Sequence, residues 1–129
     1  MPSELTRLLL VEDDPDIQEI ARLALELVGG FTLTVCSSGR EALAAAPASG
    51  AQMVLLDVMM PGMDGPETLE ALKRLDAMAG VPVAFMTAKV QPAEVARFLS
   101  LGAVGVIAKP FDPMTLADRV RALWETANA

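Results

Sequence analysis

Runs of consecutive apolar residues alternate along the chain with segments in which apolar residues recur every three or four positions. The continuous runs are typical of strands buried on both faces of a sheet, and the periodic segments are typical of helices with one buried face. The predicted strands are Arg7–Val11, Phe31–Val35, the run from Met53 into Asp57, Val81–Met86 and Val104–Ala108. The second strand alternates apolar and polar residues, which favours a half-exposed position at a sheet edge.

Capping and turn residues predict where the five helices begin and end. In chain order, the helices are expected to run from Asp14-Pro15 to Gly29-Gly30, from the capping-box pattern Ser38–Glu41 to near Pro47, from Pro66 to before Gly80, from Pro92 to Gly102, and from Asp112-Pro113 through Trp124. Five strand–helix pairs in regular alternation predict an α/β fold. We expect a doubly wound, five-stranded parallel sheet with helices on both faces and right-handed crossovers.

The composition narrows the possible chemistry. The chain has 129 residues, 53% of them hydrophobic, which suffices for one compact domain and not for two. It contains no histidine, which excludes histidine-dependent catalysis, histidine metal sites and a histidine phosphocarrier. The one cysteine, Cys36, excludes an internal disulfide and a cysteine zinc site, and we expect it to be buried as a small hydrophobe.

The charge points away from polyanionic partners. The formal net charge is −7, and the ten basic residues form no block, so we expect neither nucleic acid nor a membrane among the partners. No apolar run approaches the length of a membrane span, and the sequence from Met1 to Glu4 begins no signal peptide. The predicted location is therefore the cytoplasm.

Side chains capable of chemistry stand at the ends of four predicted strands. They are Glu12, Asp13 and Asp14 after the first strand, Asp57 at the third, Thr87 at the fourth and Lys109 after the fifth. Because the carboxyl ends of parallel strands share one edge, we expect these groups to converge. Clustered carboxylates repel one another unless a cation lies between them, and a set of oxygen ligands favours Mg²⁺ or a similar hard ion. A lysine and a hydroxyl opposite would complete a pocket for a phosphoryl group, with Asp57 as the nucleophile.

Four motifs at these strand ends occur in a specific order and spacing. They are Leu10-Val-Glu12-Asp13-Asp14-Pro15, Leu56-Asp57-Val-Met-Met-Pro61-Gly-Met-Asp64-Gly65, Met86-Thr87-Ala88 and Lys109-Pro110-Phe111. Together they resemble the receiver domain of bacterial two-component response regulators, and the chain is similar to the single-domain, chemotaxis-type members. The resemblance covers essentially all of the chain. It implies one receiver domain over residues 1–129, no output domain, and the flavodoxin-like strand order 2-1-3-4-5.

The resemblance also implies a role for each matched position. Asp57 is the expected phosphoacceptor, in a reaction that requires Mg²⁺ or Mn²⁺, and the expected donor is a sensor histidine kinase or a histidine phosphotransfer protein. The metal is expected on the side chains of Asp13 and Asp57, on the backbone carbonyl of Met59 and, through water, on Glu12. Phosphorylation is expected to switch the binding of a downstream protein. The chain would be an enzyme only towards its own aspartyl phosphate.

Further positions are implied to position the phosphoryl group or to tune the response. Thr87 is expected to bond a phosphoryl oxygen and Lys109 to pair with the phosphoryl group. The peptide bond between Lys109 and Pro110 is usually cis in the family. The expected switch and tuning positions are Ala88, Lys89, Val106 and Pro110.

Two departures from the family pattern affect the expected output. Val106 stands where the family often has a tyrosine or phenylalanine that changes rotamer when the threonine moves. Met59 and Lys89 occupy the two positions that govern how water reaches the phosphoryl group in the family. We therefore expect Met59 and Lys89 to set the phosphoryl lifetime, and we expect switching to proceed through the loop from Thr87 to Gln91 without an aromatic rotamer change.

Several alternatives remain open at the level of the sequence. A phosphohydrolase of the haloacid-dehalogenase type would share the aspartate nucleophile, but it would need a second acid where Met59 stands. An interaction module independent of phosphorylation would be expected to lack a pocket residue, and none is lost here. Asp14 is most simply a helix cap, whereas Glu12 fits a helix N-terminus about as well as it fits a metal site.

Overall fold

The computed structural model describes residues 4–129, in which five parallel strands form one sheet. The strands are β1 (Arg7–Val11), β2 (Thr32–Cys36), β3 (Met53–Asp57), β4 (Val83–Thr87) and β5 (Gly105–Ala108). Their spatial order is β2-β1-β3-β4-β5, so the predicted α/β fold and strand order are confirmed, and β2 lies at an edge as its alternating pattern predicted.

Helices connect the strands across both faces of the sheet. They are α1 (Pro15–Arg22), which continues as a π-helical segment over Leu23–Val28, α2 (Gly39–Ser49), α3 (Gly65–Lys73), a 3₁₀ turn at Asp76–Met78, α4 (Pro92–Ser100) and α5 (Leu116–Ala127). Within the described range of residues 4–129, no helix is both long enough and apolar enough to cross a lipid bilayer.

The sheet separates two hydrophobic clusters. Successive residues of β1 alternate between them: Leu9 packs on the side of α2, α3 and α4, whereas Leu8 and Leu10 pack on the side of α1 and α5. All five residues of β3 are buried, as a continuous apolar run predicts for a central parallel strand. Full burial of each leucine stabilises the fold by about 2 kcal/mol, so β3 is a rigid support for the acid at its end.

The end of α2 differs from the prediction. The helix does not stop near Pro47 but continues to Ser49, and Gly50 follows in the left-handed conformation with φ of 68°. Proline lacks its own N–H and crowds the carbonyl one turn back, so Pro47 weakens the last turn of α2, but it does not end the helix. The glycine therefore sets the end of α2, because it adopts a positive φ without steric cost.

The third predicted helix is divided in two. Asp64 caps α3 in a capping box with Glu67, but the helix ends at Lys73 and is followed by the 3₁₀ turn. Leu75, with a ψ of 123°, has an extended backbone that interrupts the helical hydrogen bonds. The prediction of one helix from Pro66 to before Gly80 was therefore wrong in its second half.

The start of the last helix was also predicted too early. Asp112 does not cap α5. Its side chain accepts a hydrogen bond from the backbone N–H of Met114 at 2.8 Å and closes a separate turn, and α5 begins at Leu116. Aspartate favours both helix caps and such turns, so the residue type alone does not distinguish them. The cap predicted for α1 is confirmed, since Asp14 accepts from the N–H of Asp16 at 2.9 Å.

Candidate functional site

The carboxyl ends of four strands form one cleft, as the parallel topology predicts. In the sheet register Asp57 on β3 lies beside Met86 on β4, and Thr87 lies beside Ala108 on β5. The cleft measures about 320 Å³. Most of the predicted site residues line it, together with Asp14 and Ile17, whereas the predicted tuning positions Val106 and Pro110 do not. The predicted residues in the lining are Glu12, Asp13, Asp57, Met59, Thr87, Ala88, Lys89 and Lys109.

Three carboxylates face one another in this cleft. One oxygen each from Glu12, Asp13 and Asp57 lies within 4.8 Å of the others. Glu12 is fully buried and Asp57 is 6% exposed, whereas Asp13 is half-buried. Buried anions at such distances repel strongly, so the cluster requires compensating positive charge. The acidic pocket could hold a metal ion.

Lys109 supplies positive charge from the far side of the cleft. Its Nζ donates to Oδ1 of Asp57 at 2.9 Å and to Oε1 of Glu12 at 2.5 Å. The preceding strand is only four residues long, and the peptide bond between Lys109 and Pro110 is cis. The ammonium group thus links the acid of β3 to the acid that follows β1. Its hydrogen bond to Glu12 joins residues that are 97 positions apart in the sequence.

The pKa values of Glu12 and Lys109 are both raised, although burial and the hydrogen bond between them act in opposite directions on each group. Burial is the largest cause that raises the pKa of Glu12, to about 7, and the hydrogen bond from Lys109 opposes it. Burial lowers the pKa of Lys109, but its hydrogen bonds to Glu12 and Asp57 more than offset that effect, so its pKa is raised. The ammonium form of Lys109 is therefore secure at neutral pH.

The sequence did not reveal how Glu12 is held in place. Its Oε2 accepts from the backbone N–H of Asp14 at 3.1 Å, and its backbone carbonyl accepts from Nε2 of Gln18 at 2.5 Å. Gln18 also donates to Oγ of Ser37 at 3.0 Å, which ties the start of α1 to the loop after β2. No local sequence pattern predicts the hydrogen bonds of Gln18, because its partners come from other parts of the fold.

Thr87 is held by a local hydrogen bond. The residue is 5% exposed, and its Oγ1 accepts from the backbone N–H of Lys89 at 3.0 Å. Ala88 and Lys89 are exposed at the rim of the cleft. The hydroxyl therefore fixes the start of the loop that leads into α4.

The loop after β3 approaches the cleft closely. A Cβ on Gly65 would lie 2.6 Å from the carbonyl oxygen of Asp57 and 2.8 Å from Cα of Val58, so only glycine fits there. The N–H of Gly65 donates to the carbonyl of Val58 at 2.8 Å and closes the turn. Met59, at the start of this loop, is 69% exposed.

The β5 position at which the family often has an aromatic residue borders the hydrophobic cluster under α4. Val106 is half-buried and packs against this cluster, which contains Phe85 and Phe98. The two phenylalanine rings lie 5.0 Å apart with an interplanar angle of 51°. The aromatic contacts of this region thus come from β4 and α4 rather than from β5.

An apolar groove adjoins the cleft, and the sequence did not predict it. It measures about 280 Å³ and is lined mainly by Ile17 and Ile20 of α1 and by Pro110 and Phe111 after β5. The helical spacing suggested that Ile20 faces the core, but it is 44% exposed. The buried face of this helix instead uses smaller side chains such as Ala21.

The fold and the convergent acids, hydroxyl and lysine together define a class of signalling domain. The chain belongs to the response regulator receiver domain family, whose model matches residues 8–121. Aspartyl phosphorylation and Mg²⁺ binding are general features of this family, and its members interact with histidine kinases. The resemblance stated from the four motifs is confirmed, which favours a receiver domain over a phosphohydrolase of the haloacid-dehalogenase type.

Several curated proteins are similar to this chain. The DNA-binding response regulator MtrA of Mycolicibacterium smegmatis is 39% identical over 116 residues, which cover 90% of this chain and 49% of that protein. The transcriptional regulatory protein CseB of Streptomyces avermitilis is 38% identical over 121 residues, covering 94% and 50% respectively. The chain thus spans about half the length of these relatives. Because they are named as DNA-binding or transcriptional regulators, the expectation that nucleic acid is absent from the partners is not supported.

Solved structures of receiver domains are also similar. The chemotaxis protein CheY4 of Vibrio cholerae has a TM-score of 0.85 and 28% identity, covering 93% of this chain and 99% of that one. A CheY-like receiver domain protein from Methanospirillum hungatei has a TM-score of 0.81 and 27% identity, covering 97% and 98%. Both likenesses extend over nearly the whole chain described here.

Proposed function

We propose that Asp57 accepts a phosphoryl group from a sensor histidine kinase or a histidine phosphotransfer protein, and that the aspartyl phosphate switches partner binding through the loop after β4. One observation carries the proposal: the Asp57 carboxylate lies on a buried strand end within hydrogen-bond reach of Lys109 and beside two further acids. An acid that merely closes a solvated turn would not require a buried lysine partner and two neighbouring acids. On this proposal residues 1–129 act as one receiver domain.

The donor set fits a hard divalent cation. Asp13 and Asp57 would hold Mg²⁺ or Mn²⁺ with their carboxylates, Met59 with its backbone carbonyl, and Glu12 through water. Oxygen ligands alone, with neither histidine nor thiolate, match the preference of these ions. When bound, the ion would offset negative charge on the acids and on the incoming phosphoryl group.

The residues of the chain would orient the reactants. Lys109 holds Oδ1 of Asp57 at 2.9 Å and so fixes the direction of the carboxylate. Once Asp57 is phosphorylated, the same ammonium group would pair with the phosphoryl oxygens, because it reaches the space between Asp57 and Glu12. The buried β3 keeps the nucleophile from moving away from this cation.

Thr87 would convert phosphorylation into a structural change. Its Oγ1 now accepts from the N–H of Lys89. A phosphoryl oxygen on Asp57 would accept a charge-assisted hydrogen bond from the Thr87 O–H. Movement of the hydroxyl towards the phosphoryl group would carry Oγ1 away from the N–H of Lys89, and the loop from Lys89 to Gln91 would lose its anchor to Thr87. Val106 has no ring to rearrange, so the change would pass directly from this loop to α4.

The apolar groove beside the cleft is suited to the phosphodonor. It joins Lys109 and Ala88 at the rim of the cleft to Ile17 and Ile20 on α1. A donor protein that placed an apolar helix face there would bring its phosphohistidine next to Asp57. Acids at the start of α1, including Asp14 and Asp16, would favour basic residues at the edge of the donor surface.

Phosphorylation of the purified protein tests the proposal. Acetyl phosphate and Mg²⁺ should add one phosphoryl group by intact-mass spectrometry, and both chelation of the metal and Asp57→Asn should abolish the addition. Asp76→Asn is the matched control, since it removes an acid from the 3₁₀ turn away from the cleft, and it should leave the addition unchanged. An undiminished adduct in Asp57→Asn would refute the assignment of the phosphoacceptor.

A further inference from the structure

Met59 combines exposure with a place beside the phosphoacceptor. It follows Asp57 by two residues and is 69% exposed. It lines the cleft that contains Asp57, Thr87 and Lys109, and also a second cleft of about 390 Å³ between its loop and Arg97 of α4. A thioether therefore stands in solvent at the mouth of the proposed phosphorylation site.

The other methionines of residues 4–129 do not combine these two properties. Met53 and Met86 are fully buried in the sheet, Met78 and Met60 are 5% and 8% exposed, and Met63 is half-buried. Met114 is 67% exposed, almost as much as Met59, but it lies in the turn before α5 and does not line the cleft. Met114 is thus a natural control for exposure without proximity to Asp57.

The single thiol does not compete for oxidants. Cys36 is 1% exposed, and burial raises its pKa to about 11. Peroxides attack the thiolate, which is scarce at neutral pH under these conditions. The most accessible oxidisable sulfurs in the described part of the chain are therefore the thioethers of Met59 and Met114.

We propose that Met59 is a redox modification site, at which oxidation to the sulfoxide shortens the lifetime of the Asp57 phosphate. A hydroperoxide supplies the oxygen atom. The sulfur lone pair attacks the hydroxyl oxygen of the peroxide, and a sulfur–oxygen bond forms as the oxygen–oxygen bond breaks. The departing alkoxide, or hydroxide where the oxidant is hydrogen peroxide, takes the proton of the hydroxyl group formed on sulfur and leaves as an alcohol or as water. The sulfur loses two electrons, the peroxide gains them, and sulfoxide reductases can reverse the change.

The consequence follows from the change in polarity. The thioether is apolar and a poor hydrogen-bond acceptor, so it does not hold water beside the phosphoryl group. The sulfoxide oxygen is polar and accepts hydrogen bonds, so it can hold a water molecule at the mouth of the cleft. One added hydrogen bond to that water corresponds to a roughly two- to tenfold faster hydrolysis. This inference rests on the proposed phosphorylation of Asp57.

Peroxide treatment followed by phosphorylation tests the inference. The protein is treated with hydrogen peroxide, and peptide mapping by mass spectrometry then measures the oxidation of each methionine. The oxidised and untreated proteins are phosphorylated with acetyl phosphate and Mg²⁺, the donor is removed, and the loss of the adduct is timed. We expect Met59 and Met114 to oxidise first and the oxidised protein to lose its adduct roughly two- to tenfold faster.

Two variants assign the effect to one sulfur. In Met59→Leu, peroxide should leave the lifetime of the adduct unchanged relative to the untreated variant. In Met114→Leu, the acceleration should persist, and sulfoxide reductase treatment should reverse it. An equal lifetime in wild-type protein with fully oxidised Met59, or the same acceleration in Met59→Leu, would overturn the inference while leaving the phosphorylation of Asp57 intact. Failure of the untreated protein to accept a phosphoryl group would instead overturn the proposed function.

Discussion

Single residues at this site are held in unfavourable electrostatic surroundings. Glu12, Asp13 and Asp57 share a small space, and Lys109 contacts two of them, Glu12 and Asp57. Asp13 is the most exposed of the three acids. A cluster of this kind favours the binding of a cation but lowers the stability of the metal-free protein, because the like charges repel until the cation binds.

Neutralising Asp13 should therefore stabilise the metal-free protein. In Asp13→Asn we expect the free energy of unfolding, measured by urea denaturation in chelator, to rise by on the order of 1 kcal/mol, because one of the repelling charges is removed. Mg²⁺ should stabilise the wild type and have little effect on the variant. Glu19→Gln, which neutralises an exposed acid on α1, is the control and should change the stability by less than about 0.5 kcal/mol. A loss of stability in metal-free Asp13→Asn would contradict the repulsive cluster.

Cys36 gives a second prediction at the scale of one residue. Burial raises its pKa from 9.0 to about 11, so the folded state retains the thiol proton after the unfolded state has lost it. The resulting stabilisation is complete below pH 9 and is lost as the pH rises towards 11. Between pH 8 and pH 10 the wild type should lose about 1 kcal/mol more stability than Cys36→Ala, as urea denaturation would measure. Parallel curves for the two proteins would contradict this burial effect.

At the scale of elements, the strands support the site and the loops after them supply its functional groups. β3 delivers Asp57 at the end of a fully buried strand, and the turn after it returns so closely that Gly65 lies against the backbone of Asp57 and Val58. The capping box between Asp64 and Glu67 fixes the start of α3 directly after this turn. The path of this loop and the position of the Asp57 carboxylate are therefore coupled.

Replacing Gly65 tests that coupling. Gly65→Ala should lower the free energy of unfolding by about 2 kcal/mol or more and slow phosphorylation by acetyl phosphate, because the added methyl group displaces the backbone of Asp57. Gly62→Ala is the matched control: Gly62 has a φ of 75° and no neighbour within 4 Å of a Cβ. Its strained backbone should cost about 1 kcal/mol while phosphorylation is retained. Equal phosphorylation rates in the two variants would show that the contact of Gly65 does not position Asp57.

The helix ends mark the limit of what local sequence can predict. The apolar runs located β1, β3, β4 and β5, because a strand covered on both faces requires consecutive apolar residues, and the alternating pattern located β2 at the edge. The C-terminal ends of α2 and α3 and the start of α5 were misplaced, since α2 continues past Pro47 and Asp112 closes a turn instead of capping a helix. Each of these residue types suits two local structures, and the surrounding fold decides between them.

At the scale of the molecule, the topology explains why the site residues could be selected from sequence. Parallel strands end on one side, so Glu12, Asp57, Thr87 and Lys109 could be expected to converge once five strand–helix pairs were recognised. The strand order implied by the family resemblance places their strands side by side. The hydrogen bond from Gln18 to the backbone of Glu12 and the apolar groove beside Pro110 could not be predicted in this way. They depend on side-chain directions and on distances between elements, which no local pattern encodes.

The same topology connects Asp57 to the loop before α4. Thr87 follows the sheet position next to Asp57, and its hydroxyl anchors the loop that begins α4. Phe98 of α4 packs against Phe85 of β4, so a shift of this loop would also act on α4, which contacts the same strand. The central claim is that phosphorylation of Asp57 draws Thr87 away from Lys89 and moves the loop.

Backbone amide NMR of the protein before and after treatment with beryllofluoride and Mg²⁺ tests this claim most directly. We expect the amide signals of residues 87 to 91 to shift in the wild type, with the signal of Lys89 changing as its bond to Thr87 is lost. Thr87→Val should bind the same reagent at Asp57 while leaving the signals of residues 90 and 91 largely unchanged. Shifts confined to Asp57 and the neighbouring acids in the wild type, with residues 87 to 91 unmoved, would contradict the account.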